Sequence, residues 1–309
     1  MADILISEFL DEAALELVPN RLSLHYDPDL VDKPGELAER AAGARALIVR
    51  NRTQVRGELL AVASRLEVVG RLGVGLDNID VAACKARDIA VCPATGANDV
   101  SVAEYVICTA MMLRRRAYAA TARVSRGQWP RNDLIGCEVA DAVLGLVGFG
   151  SIARHVARRA LALDMKVIAY DPFVPDTAAV WSQLGVSPVG LDDLVSRSDV
   201  VSLHVPLTEQ TRDLFSAERL AGMKPSAVLI NAARGGVVDE AALAEALTSG
   251  RLAGAALDVF ESEPLKGPAA ARFADVPNLI LTPHIAGVTE ESNVRVSKVT
   301  IENVLKVLS

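Results

Sequence analysis

A chain of 309 residues is long enough for about two domains with substantial cores. Its formal charge of −7 leaves no basic face of the kind that binds nucleic acid, and no apolar run nears the roughly 18 residues of a membrane span. Cys84, Cys92, Cys108 and Cys137 lack C-x-x-C spacing and the density of a disulfide scaffold, so they read as small buried hydrophobes in a reducing compartment.

The opening, Met1-Ala-Asp-Ile-Leu-Ile-Ser-Glu8, brings in acids at once and has no basic n-region, so a signal peptide is not expected and the expected location is cytoplasmic. Short apolar runs at 4–6, 22–25, 47–49, 66–70 and 89–92 alternate with segments rich in Ala, Glu and Leu, as at 11–17 and 35–42. Strands alternating with helices predict a parallel, doubly wound sheet. That unit closes near Pro93, and Thr95-Gly-Ala-Asn-Asp99 reads as a hinge. Residues 100–113 follow as a long apolar helix, and a second helical segment runs to Ser125. Gly127-Gln-Trp-Pro130 interrupts it, and an irregular stretch continues to Gly136. Arg114-Arg115-Arg116, the densest basic run, reads as a solvated helix end.

From Val139 a second series begins, with strands predicted near 143–147, 166–170, 199–203, 226–231, 254–258 and 278–282. Six strands with intervening helices make a complete dinucleotide-binding sheet. A final helix, about 289–308, cannot form a domain alone and is expected to pack on the first unit. The expectation is an α/β fold of two doubly wound parallel-sheet domains, residues 1–97 with 285–309 and residues 98–284.

The first strand of the second series runs into Gly148-Phe-Gly-Ser-Ile-Ala153, and residues 151–163 have helical apolar spacing. Gly148 and Gly150 make a turn whose backbone amides face an anion, at the positive end of the helix dipole. The third glycine of a G-x-G-x-x-G fingerprint is Ala153 here, a position that serves helix–strand packing and tolerates alanine. The next strand ends in Asp171, where a carboxylate accepts from ribose hydroxyls and repels a 2′-phosphate, which favours NAD over NADP.

Arg234, Glu263 and His284 each follow a predicted strand, on the edge where open α/β sheets place ligands. A histidine exchanges a hydroxyl proton near neutral pH, a neighbouring carboxylate favours its imidazolium and orients it, and an arginine fork holds a carboxylate. His204, in Leu-His-Val-Pro, ends another strand at the same edge and reads as a lining residue of the cofactor groove. His25 and His155 read as structural.

These motifs carry a resemblance. Gly73-Val-Gly-Leu-Asp-Asn-Ile-Asp80, Ser101-Val-Ala-Glu104, Gly148–Ala153, Asn231-Ala-Ala-Arg-Gly-Gly236, Ala256-Leu-Asp-Val-Phe-Glu261 with Glu263-Pro264, and Thr282-Pro-His-Ile-Ala-Gly287 stand in order along the chain. The chain resembles the D-isomer-specific 2-hydroxyacid dehydrogenase family, in the short form without a regulatory domain. The resemblance implies a Rossmann domain inserted into a flavodoxin-like substrate domain, an NAD cofactor, and a homodimer built on the region of residues 100–136. It implies His284 as acid/base, Glu263 as its partner and Arg234 as the substrate-orienting cation. It implies dinucleotide contacts at Ser151, Ile152, Asp171, Val205, Pro206, Thr211, Ala232, Ala233, Asp258 and Gly287. The amides of Val74 and Gly75 would cradle the substrate carboxylate, and Asn98 and Arg50 match positions that touch substrate.

Arg50 and Arg52 follow a strand and Arg71 precedes the Gly73 loop, so three cations suggest a second anionic group on the substrate, set against ordinary surface charge. Phosphoglycerate-, sulfolactate- and hydroxypyruvate- or glyoxylate-type substrates stay open. An NAD(H)-sensing corepressor-like protein is the rival from another class, and a formate dehydrogenase of the same fold is disfavoured by Glu263.

Overall fold

In the computed structural model, which describes residues 2–309, β1 (Ile4–Ile6), β2 (Leu24–Tyr26), β3 (Ala46–Val49), β4 (Val68–Arg71) and β5 (Ala90–Pro93) pair in parallel in the order β2-β1-β3-β4-β5. Alternate residues of each strand serve opposite faces. Leu5, Leu47 and Val69 pack with Leu37, Leu60 and Cys84, whereas Ile4, Ile6, Ile48 and Val68 pack with Val296, Ile301 and Val304. The latter three belong to the last helix, Glu290–Leu308, which covers this face as its lone amphipathic stripe demands. Gly70 permits the approach: a Cβ there would stand 2.6 Å from Val304 Cγ2. The helix starts on a capping box, Thr289 with Ser292.

The second sheet comprises β6 (Val143–Val147), β7 (Lys166–Tyr170), β8 (Ser187–Pro188), β9 (Val200–Leu203), β10 (Val228–Asn231), β11 (Gly254–Leu257) and β12 (Leu279–Leu281). All pair in parallel, in the order β12-β11-β10-β9-β6-β7-β8. The order reverses between β6 and β9, the switch point where doubly wound sheets hold ligands. The sheet has seven strands rather than six; β8 adds a two-residue edge. The chain divides into two units, Met1–Asn98 with Val288–Ser309 and Asp99–Gly287.

Three local expectations are corrected. The predicted helix at 11–17 is a 3-10 helix, Glu12–Leu17, capped by Asp11. The long helix, Asp99–Arg115, stops at a left-handed Arg116, and only short turns, Ala117–Ala120 and Thr121–Val124, follow. Of the cysteines, Cys84 is buried, but Cys108 and Cys137 are exposed. Among the described residues no helix is long and apolar enough to cross a membrane.

Candidate active site

At the switch point β6 leads into Gly148, whose φ of +89° suits glycine. A Cβ here would lie 2.5 Å from the His204 carbonyl oxygen at the end of β9. Phe149 is buried and stacks on Trp181, ring centroids 4.4 Å apart, which anchors the turn from beneath. Gly150 caps the helix Ser151–Leu161 without a side-chain bond, and no atom lies within 4 Å of where its Cβ would stand. Ala153 is fully buried, so the third fingerprint position is filled by packing.

Asp171, beyond β7, is held by two main-chain amides: Phe149 N donates to Oδ2 at 2.8 Å and Phe173 N to Oδ1 at 2.9 Å. This turn, the unencumbered helix start and the fixed carboxylate fit a dinucleotide. The Ser151 hydroxyl donates to Asp99 Oδ2, so its one hydrogen is not available to a phosphate, whereas the backbone amide at this helix start is. Ile152 is half-buried. His204 pairs through Nε2 with Ser202 Oγ at 3.0 Å, and burial pushes its imidazole down to about 4, so the ring is neutral. Val205 is half-buried and Pro206 exposed in the loop that follows. Thr211 shapes that loop by donating to the Pro206 carbonyl at 2.6 Å.

After β10, Asn231 clamps the next turn: its Oδ1 accepts from Ala233 N at 3.1 Å and its Nδ2 donates to Arg234 O at 2.9 Å. Ala232 and Ala233 thus stand in a fixed turn beside Arg234, whose Nη1 donates to Ala233 O. Gly235 lets this turn press on the loop after β11, because a Cβ there would sit 1.9 Å from Phe260 O. That loop carries Glu263, whose Oε1 accepts from Phe260 N at 3.0 Å and whose Oε2 lies 2.7 Å from His284 Nδ1. Burial pushes the Glu263 carboxyl up, but the His284 hydrogen bond and charge, with Phe260 N and the Arg234 charge, outweigh it and hold the carboxyl below its ordinary value.

His284 has a left-handed backbone, φ +56°. Asp258, 1% exposed, clasps the turn: Thr282 Oγ1 and Ile285 N donate to Oδ1 and Ala286 N to Oδ2. Gly287 follows and ends the unit. Three residues spanning 50 positions of the chain therefore come together at the carboxyl edge of one sheet: His284 is hydrogen-bonded to Glu263, and Glu263 feels the charge of Arg234.

In the other unit, Glu8 is buried and organises the loop after β3. Its Oε1 accepts from Arg50 N and Thr53 N, each at 2.9 Å, and its Oε2 from Arg52 N at 3.0 Å. Arg50 lies over the Phe9 ring and donates to Asn293 Oδ1 at 2.8 Å. Arg52 forms an ion pair with Asp32, so its charge is already matched. Arg71 packs its guanidinium where a Cβ of Gly73 would stand, which accounts for that glycine at φ +139°. Val74 is exposed and Gly75 half-buried on the following loop, and the buried Oδ1 of Asn98 accepts no hydrogen bond. Glu8, the Asn231 clamp and the Asp258 clasp escaped sequence reasoning; an acid two residues past an apolar strand was the available signal for Glu8.

A dinucleotide-binding sheet with a histidine–carboxylate pair at its carboxyl edge marks a nicotinamide-dependent oxidoreductase. Residues 107–286 match the family model of the D-isomer specific 2-hydroxyacid dehydrogenase NAD binding domain. A protein of Chromohalobacter salexigens named (S)-sulfolactate dehydrogenase is 56% identical, covering 100% of this chain and 99% of that one. A hydroxypyruvate reductase of Thermotoga maritima is 39% identical over 98% of this chain and 97% of its own. The crystal structure of an Aquifex aeolicus D-lactate dehydrogenase complexed with NAD and lactic acid superposes with a TM-score of 0.86 at 30% identity, covering 99% of this chain and 95% of that one. The chain belongs to the D-isomer specific 2-hydroxyacid dehydrogenase family. It is an NAD-dependent oxidoreductase of small 2-hydroxy acids.

Proposed function

We propose that the substrate is a 2-hydroxy acid, or the matching 2-oxo acid, carrying a second anionic group of the 3-sulfolactate or 3-phosphoglycerate type. In oxidation, His284 Nε2 takes the proton of the C2 hydroxyl while Nδ1 stays on Glu263. Glu263 stabilises the imidazolium so formed, and Arg234 holds the substrate carboxylate and carbonyl in line. NAD, when bound, supplies the acceptor for the C2 hydride. The turn at Gly148 and Gly150, Ser151 and Ile152, Asp171, the segment from His204 to Pro206, and Ala232 and Ala233 hold the dinucleotide. Val74, Gly75 and Asn98 bind the substrate carboxylate, and Arg50 and Arg52 its second anion.

The single observation carrying the chemistry is the 2.7 Å contact between His284 Nδ1 and Glu263 Oε2. Replacing His284→Ala should cut kcat by about 100- to 10,000-fold while NADH affinity holds; undiminished turnover removes the assignment. The substrate class draws support from the 56% identity to the sulfolactate enzyme and from a loop that Glu8 builds under Arg50 and Arg52. A second reading, a hydroxypyruvate or glyoxylate reductase, is favoured by the ion pair that already matches Arg52 with Asp32. A panel of acids with and without a second anion, run against Arg50→Ala and Arg52→Ala, separates them: equal rates on both kinds of acid end the second-anion reading. The same assay removes the corepressor-like rival by detecting turnover.

We further propose that two copies pair through the region of residues 100–136, where Tyr118, Ile135 and Trp129 are 68%, 72% and 80% exposed. Light scattering giving a monomer mass would reject the dimer. The compartment we propose is the cytoplasm.

A further inference from the structure

Tyr105 has no part in the chemistry above, yet its hydroxyl lies 2.7 Å from Thr282 Oγ1, in the turn that carries His284. Thr282 Oγ1 donates to Asp258 Oδ1 at 2.6 Å, which uses its one hydrogen. Tyr105 is therefore the donor to Thr282. Burial pushes the Tyr105 phenol above its ordinary value and keeps that hydrogen in place.

The relay ends on backbone. Asp258 accepts the amides of Ile285 and Ala286, both at 2.8 Å, and its own carbonyl accepts His284 N at 2.8 Å. These are the peptide groups on both sides of a residue at φ +56°, a region that a non-glycine residue keeps only when its surroundings hold it there.

Tyr105 also belongs to a rigid body with a second anchor. Its helix, Asp99–Arg115, begins at the buried Asp99, which accepts the hydroxyl of Ser151 at the start of the helix after the glycine turn. Val102, Val106 and Ala110 of the first helix share a core with Ala153, Val156 and Ala160 of the second. Asp99 and Tyr105 stand about 9 Å apart along one axis, at 1.5 Å per residue. One helix thus reaches the start of the helix after the glycine turn at Asp99 and the histidine turn about 1.7 turns later at Tyr105.

We propose that Tyr105 is a positioning residue for the hydroxyacid chemistry: through Thr282 and Asp258 it holds the left-handed turn of His284 in register with the glycine turn, with His284 taken, as above, as the proton-exchanging group. The side chain touches neither reactant. Its contribution is the aim of the imidazole, where a shift of about 1 Å is costly in rate.

The test uses the full-length enzyme and three small changes. Tyr105→Phe keeps the ring and removes the hydroxyl, Thr282→Val keeps the shape and breaks the relay, and Thr282→Ser restores the hydroxyl. Tyr105→Phe and Thr282→Val should each lower kcat about tenfold, with NADH affinity by fluorescence titration unchanged. Thr282→Ser should recover most of the rate. The double variant Tyr105→Phe/Thr282→Val should be no slower than Thr282→Val alone, because the tyrosine acts only through the threonine. Full kcat in Tyr105→Phe overturns the proposal, as do multiplicative losses in the double variant. Turnover surviving in His284→Ala, measured alongside, would overturn the acid/base reading and this inference together; His284→Ala inactive with Tyr105→Phe at full rate would overturn this inference alone.

Discussion

Acid should single out His204. Its ring lies at the end of β9, Nε2 on Ser202 Oγ at 3.0 Å, and burial pushes the imidazole from 6.5 to about 4. The unfolded chain takes up the proton near 6.5, whereas the folded chain refuses it until about 4. With the folded value depressed, the stabilising contribution is complete above 6.5 and is lost as pH falls toward 4. At about 1.4 kcal/mol per pH unit below the unfolded value, this one group costs about 2 kcal/mol between pH 7 and pH 5. His204 is only half-buried as a whole residue, which makes that figure a ceiling. His204→Gln keeps an amide within reach of Ser202 and removes the titration. Urea unfolding read through Trp181, which is buried against Phe149 in the same unit, supplies the assay. Between the two pH values the wild-type stability should fall further than that of the variant, by up to the stated amount. An equal fall in both proteins would mean that the imidazole is hydrated and the burial reasoning wrong.

Gly148→Ala should weaken NADH binding by about tenfold or more and lower the melting temperature, since it adds a Cβ 2.5 Å from His204 O at a φ of +89°; fluorescence titration and calorimetry read the two effects. Asp171→Ala should raise KM for NAD about tenfold while improving relative use of NADP, which steady-state assays with both cofactors would show.

The strands were the most legible part of the chain, for a physical reason. A parallel strand buried on both faces is a continuous apolar run, and β6 and β7 fall on residues 143–147 and 166–170 as predicted. β8 escaped because two residues, one of them Pro188, leave no run to detect at a sheet edge. The helical pattern past Arg115 misled because apolar spacing does not register the left-handed turn at Arg116. At the site, Arg234, Glu263 and His284 were legible as residue types placed after strands. The His284–Glu263 pairing was implied by the family resemblance, but the contacts that hold the three in place were not legible: Gly235 seated on Phe260, Asn231 spanning its own turn and Tyr105 reaching Thr282 across 177 positions are facts of three-dimensional packing.

A parallel sheet releases every strand at one edge, and the peptide groups beyond the last ladder bond need new partners. Here carboxylates supply them. Glu8 accepts three amides of the loop after β3, Asp171 accepts Phe149 N and Phe173 N, and Asp258 accepts Ile285 N and Ala286 N. Glu240 is the contrast: it accepts one amide, from Glu261, and pairs with Arg272, and burial pushes its carboxyl up. A carboxylate tied at both oxygens to main chain cannot rotate away from what approaches it. On the proposed role of Asp171, that rigidity would make a 2′-phosphate meet a fixed negative charge, so the backbone bonds would sharpen the discrimination that the charge begins. At Asp258 the same rigidity fixes the turn of His284, so the irregular loops that carry the chemistry inherit the precision of the strands they leave.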